Sequence, residues 1–102
     1  MIDLKKIQKD VYQNKLDKGF NVTDVNKEFC LTYGEMSEAY EAWRKGKDDV
    51  GEEIADIVIY LLGLSEILNI DLEDEMLNKI NKNRHREYKI IDGITTRTKE
   101  HD

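Results

Sequence analysis

From Val50 to Leu68 the chain reads VGEEIADIVIYLLGLSEIL. Val50, Ile54, Ile57, Leu61, Leu64 and Leu68 recur at spacings of three and four, which is one stripe of an amphipathic helix. Asp48 or Asp49 supplies its polar start, and Asn69-Ile70-Asp71 breaks it at the far end. Glu53 falls at the edge of the stripe, beside Ile57 and Leu64, and Asp56 lies one turn on and further round. Both acids therefore belong to the boundary of a helix bundle rather than to a plain solvent face.

On the N-terminal side, Thr23 or Asp24 caps a helix that continues to about Arg44, and Lys45-Gly46-Lys47 stops it, since glycine takes the left-handed conformation a helix end needs. An earlier helix spans about Asp3 to Asp17, with Leu4, Ile7, Val11 and Leu16 on one side, and ends at Lys18-Gly19-Phe20-Asn21. On the C-terminal side, Asp71 caps a helix from Leu72 to about Tyr88 that turns Met76, Leu77 and Ile80 inward. Residues 89–102 show no helical period. Asp92-Gly93 reads as a turn, Ile90, Ile91 and Ile94 as a docking segment, and Thr95 to Asp102 as polar and irregular. The expectation is an all-α domain over 1–88, an antiparallel four-helix bundle, followed by a tail.

The second helix is apolar on more than one side. Phe29, Met36, Tyr40 and Trp43 share one broad face, and Leu31, Glu35, Glu38 and Ala42 share another. Such a helix needs two neighbours. In a chain of 102 residues the second neighbour is expected from another subunit, so the helices pair across a subunit interface. Trp43 reads as a buried bundle aromatic.

The chain carries 16 basic and 22 acidic residues, a net charge of -6, which argues against nucleic-acid binding and suits a protein that holds divalent cations. Cys30 is the single cysteine, so no disulfide forms within the chain and no thiolate cage is available; between Phe29 and Leu31 it reads as a buried thiol. Neither a signal peptide nor a membrane span is visible, and the expected compartment is the cytoplasm.

Two short motifs carry the chemistry. Glu35-Met36-Ser37-Glu38 and Glu53-Ile54-Ala55-Asp56 each place two carboxylates at i and i+3, on one helix face. A helical hairpin brings the pairs face to face. Four carboxylates in proximity repel one another, and a hard cation such as Mg²⁺ with its oxygen ligands relieves that repulsion. The same spacing also fits a solvated acidic surface. A di-iron bundle requires Glu-x-x-His, and neither His85 nor His101 follows an acid by three. The fourth helix is basic. Lys79 and Asn83 lie one turn apart beside Met76 and Ile80, and Lys82, Arg84 and Arg86 follow. Such donors suit a polyphosphate, and they also complement the helix dipole.

At these residues the sequence resembles the MazG-type all-α nucleoside triphosphate pyrophosphohydrolase superfamily. The stretches are Gly34-Glu35-Met36-Ser37-Glu38-Ala39, Glu52-Glu53-Ile54-Ala55-Asp56-Ile57 and Lys79-Ile80-Asn81-Lys82-Asn83-Arg84, within a similarity that runs from about Phe20 to Tyr88. The resemblance implies that Glu35, Glu38, Glu53 and Asp56 are catalytic magnesium ligands, with Mn²⁺ as a substitute. It implies that Lys79, Asn83 and Arg86 contact phosphate, and that Phe20 stands near a base-stacking position. It implies attack of water on the α-phosphorus of a nucleoside triphosphate, giving the monophosphate and pyrophosphate in nucleotide-pool house-cleaning, by a dimer or tetramer. Gly34 stands where the family motif has a further Glu, which leaves the general base unassigned. The Gly-Glu-x-x-Glu form is similar to relatives that act on a pyrimidine deoxynucleotide. Two other readings follow the same residues: hydrolysis of phosphoribosyl-ATP, and a non-catalytic helical module that binds nucleotide or protein.

Overall fold

The computed structural model describes residues 1–99. Four helices come first: α1 (Leu4–Lys18), α2 (Val25–Arg44), α3 (Val50–Ile67) and α4 (Leu72–Arg84). Local chemistry sets their ends. Asp3 and Asp24 cap α1 and α2, each accepting a hydrogen bond from the backbone N–H three residues on, Lys6 and Lys27. Gly19 at φ 70° ends α1 and Gly46 at φ 68° follows α2, both in the left-handed region that the sequence assigns to glycine.

Residues Met1–Leu72 form one compact unit. Within it α1 and α2 both pack against α3. The buried core is Ala39 and Ala42 from α2 and Ile57, Leu62 and Leu64 from α3. Because α3 is flanked by two helices, its buried surface is wider than the predicted stripe. Leu62, Gly63 and Ser65 are buried off the stripe, whereas Ile54 and Leu61 on it stay exposed. Gly63 is where α1 crosses: a Cβ there would stand 3.2 Å from the Lys15 side chain. Buried Gln8 ties α1 to the end of α3. Its Nε2 donates to Glu66 Oε1 at 2.9 Å and to the Ile70 carbonyl at 2.7 Å, and its Oε1 accepts from Leu72 N–H at 3.2 Å.

The second unit begins at Glu73. Its helix stops at Arg84 rather than continuing to Tyr88. In place of the expected irregular tail the chain forms an antiparallel hairpin, β1 (Glu87–Ile91) and β2 (Ile94–Lys99). Ile90, Ile91, Ile94 and the threonines that follow favour extended backbone. Asp92 at φ 51° and Gly93 at φ 76° make the tight turn that joins such strands. The described residues are therefore mostly helical, close to the expected all-α class, with one small two-stranded sheet in addition. Residues 100–102, the end of the expected tail and His101 among them, lie outside the described residues.

Two other expectations are corrected. Cys30 is exposed, and Trp43 is 67% exposed. The α2 face that carries Phe29, Met36, Tyr40 and Trp43 has no covering helix in this unit, so its aromatics face outward. Among the described residues no helix is long and apolar enough to cross a membrane.

Candidate metal centre

The connection between α2 and α3 is short, residues 45–49, and α3 returns along α2. Glu38 interacts with Glu53 close to that turn, while Glu28, far from it, interacts with Tyr60. The helices are thus antiparallel, and the two acidic pairs meet. One carboxylate oxygen each from Glu35, Glu38 and Glu53 lie within 4.8 Å of one another. Asp56 stands outside this triplet, yet its charge acts on both Glu35 and Glu53.

The electrostatics record the crowding. Burial, then the charges of Glu38, Asp56 and Glu53, push the Glu35 carboxyl above its ordinary range. Glu53 is raised as well, first by loss of solvent and then by Glu38, Asp49, Asp56 and Glu52. Glu53 Oε2 is shielded from water and has no hydrogen-bond partner. Three carboxylates this close, one of them with an oxygen that lacks a hydrogen-bond partner, form a donor set that a hard divalent cation takes. The residues present fit such an ion.

Gly34 opens the motif on α2. A Cβ there would meet nothing within 4 Å, so packing does not demand glycine at this position. Lys79, Asn83 and Arg86 belong to the second unit; Lys79 and Asn83 are exposed on α4, and Arg86 is half-buried just beyond its end. The structure therefore brings Glu35, Glu38 and Glu53 into one group within the first unit, with Asp56 in electrostatic reach.

Next to the acids is a feature the sequence reading missed. Glu28, two turns before Glu35 on α2, is 1% exposed. Lys15 Nζ donates to its Oε1 at 3.0 Å, and Asn21 Nδ2 donates to the same oxygen at 3.1 Å. Lys15 also lies over the Tyr60 ring, 5.7 Å from its centroid. Burial, followed by the charges of Glu35, Glu28, Asp56 and Glu38, pushes the Tyr60 phenol up. Tyr60 thus feels the charge of both Glu28 and the acidic cluster. Phe20, Asn21, Lys15, Glu28, Leu31 and Tyr60 line a cleft of about 310 Å³ on this side. Of these, the sequence singled out Phe20, which is 56% exposed at the cleft wall. The seven-residue spacing from Glu28 to Glu35 was the available signal for the rest.

Comparison with family models, curated proteins and solved structures gives no match.

Proposed function

We propose that this chain is a magnesium-dependent nucleoside triphosphate pyrophosphohydrolase of the MazG type, converting a (deoxy)nucleoside triphosphate and water into the monophosphate and pyrophosphate in the cytoplasm. The observation that carries the reading is the meeting of Glu35, Glu38 and Glu53, the last of which has an oxygen, Oε2, with no hydrogen-bond partner. Glu35, Glu38, Glu53 and Asp56 would hold Mg²⁺, or Mn²⁺ in its place. When bound, the ion supplies neutralisation of phosphate charge and acidification of water. The chain's own residues do the rest. Glu35 and Glu53 hold their protons to higher pH than ordinary carboxyls do, and cation binding would compete with those protons. Phe20 offers a ring for a base to stack on. Lys79, Asn83 and Arg86 are proposed as donors to the phosphates. The exposed α2 face supports self-association as a dimer or tetramer, which would complete a four-helix arrangement across subunits.

The test is magnesium-dependent release of pyrophosphate from a panel of standard and modified nucleoside triphosphates, with phosphoribosyl-ATP included. Turnover should need the cation and should disappear in Glu38→Gln and Asp56→Asn. Turnover confined to phosphoribosyl-ATP would move the reading to that hydrolase. The open position at Gly34 favours a second reading, a nucleotide-binding module without catalysis. Nucleotide binding with no product from any substrate would establish it.

A further inference from the structure

Gln8 of α1 is a polar side chain in the core, 5% exposed, and its bonds serve another part of the chain. They reach 58 to 64 residues along the sequence, to the end of α3 and the joint that follows it: Glu66, the Ile70 carbonyl and the Leu72 N–H. Leu72 opens α4, and its N–H is one of the donors that a helix start leaves without an intrahelical partner. Gln8 caps it from another helix. Lys5 and Lys9, on either side of Gln8 in sequence, pair with Asp71 at 2.6 Å and with Glu66 at 3.6 Å. The joint itself is tightly wound: Asn69 takes a left-handed φ of 57°, and Ile70 N–H donates to the Ser65 carbonyl at 2.8 Å. By contrast α4 buries none of its residues, and Met76, Leu77 and Ile80 are exposed. Side chains of α1 thus hold the start of a helix that has no buried face of its own.

We propose that Gln8 is a positioning residue for phosphate binding: by holding the Ile70 carbonyl and the Leu72 N–H it fixes where α4 starts and how it sets out, and so where Lys79 and Asn83 stand. The inference rests on the reading of these two residues as phosphate donors and adds a residue of α1 to it. Lys79 and Asn83 lie on the one helix that Leu72 begins. At about 1.5 Å of rise per residue they stand about 10 and 16 Å along its axis. A tilt of about 5° at the root therefore moves Asn83 by about 1.4 Å. Misplacement of about 1 Å costs a positioned group up to about 100-fold. The acids of the metal centre lie on α2 and on the first turns of α3, whereas the joint follows the last turn of α3. Cation binding is therefore independent of Gln8.

The experiment uses Gln8→Met, which keeps the length of the side chain and removes all three bonds. Three quantities are read on the intact protein: amide hydrogen exchange at Leu72, calorimetric affinity for Mg²⁺, and calorimetric affinity for tripolyphosphate with Mg²⁺ in excess. Tripolyphosphate carries the phosphates without a base, so base preference does not enter. Gln8→Met should speed exchange at Leu72, leave the Mg²⁺ affinity unchanged and weaken tripolyphosphate at least about tenfold. Leu62→Val loosens the core and touches none of these bonds, so it should lower the melting temperature and leave the tripolyphosphate affinity as it is. Should Gln8→Met fail to fold, Lys5→Glu sets a like charge against Asp71 at the surface of the same joint. At an ionic strength of about 0.15 M, where long-range charge is screened, it should weaken tripolyphosphate as well. Unchanged exchange at Leu72 or unchanged tripolyphosphate affinity in folded Gln8→Met would overturn the proposal. So would an equal loss in Leu62→Val, a Mg²⁺ affinity that falls in step, or, where Lys5→Glu takes the place of Gln8→Met, an unchanged affinity there. Lys79→Met separates this inference from the reading it rests on. Tripolyphosphate affinity that ignores Lys79→Met sinks the donor reading; affinity that falls in Lys79→Met and holds in Gln8→Met overturns the role of Gln8 alone.

Discussion

Lys15 of α1 reaches across Gly63 of α3 to place its ammonium 3.0 Å from the carboxylate of Glu28 on α2, with 12% of the lysine side chain and 1% of the glutamate exposed. One ion pair therefore touches all three helices of the first unit. Removing one partner of a buried pair strands the other charge and costs about 3–5 kcal/mol. Lys15→Met should lose stability of that order in urea denaturation. Lys6→Met, which breaks the exposed pair with Asp10, should lose less than about 1 kcal/mol. Similar losses for the two variants would mean that the Lys15–Glu28 pair does not bind the three helices together.

The acidic cluster makes the opposite prediction. Burial and its neighbours' charges raise Glu35, so the cation-free fold disfavours its ionised form. Glu35→Gln removes one repelling charge and should raise the melting temperature of chelator-treated protein. Mg²⁺ at 100 times its dissociation constant should add about 2.7 kcal/mol to the native protein. That gain should shrink markedly in the variant. A variant that is less stable without metal and equally stabilised by it would remove Glu35 from the site.

The pH dependence follows from the same shifts. Glu35 and Glu53 release their protons above the ordinary carboxylate value of 4.5 in the fold and near it in the unfolded chain. The folded state thus binds more protons through that window, and its stability falls as pH rises. The contribution of the two protonated groups is complete below pH 4.5 and is lost as pH climbs through the raised folded values. In chelator, the stability advantage of the Glu35→Gln, Glu53→Gln double variant over the native protein should be small at low pH. It should grow as pH rises past that point. A constant difference across the range would show that neither group is raised.

Much of this architecture is written in local signals. Asp24, Gly19 and Gly46 mark helix ends by chemistry that acts within a few residues, and all three are found where the sequence puts them. The meeting of Glu35, Glu38 and Glu53 follows from i, i+3 spacing and a short turn. What escaped depends on partners distant in sequence. Glu28 looks like a surface acid until Lys15 is brought to it, and Trp43 looks like a core residue until its face of α2 proves to be uncovered within the first unit. The hairpin escaped because its strands are short and largely exposed, which leaves little apolar alternation to read.

The outward face of α2 carries the last prediction. Met36, Tyr40 and Trp43 of α2 and Val50, Ile54 and Val58 of α3 line an apolar groove of about 500 Å³, and the Tyr40 and Trp43 rings lie 6.3 Å apart on its rim. Contiguous apolar surface of this kind marks interaction sites on small proteins. If a second copy of the chain covers it, light scattering should give a dimer or larger species at micromolar concentration. Trp43→Lys should then convert it to monomer. The substitution is mild for an isolated subunit, since Trp43 is two-thirds exposed and a cation suits the last turn of a helix. Loss of assembly with helical content retained would therefore report on the interface rather than on folding. A native protein that is already monomeric would show that this face serves something other than self-association.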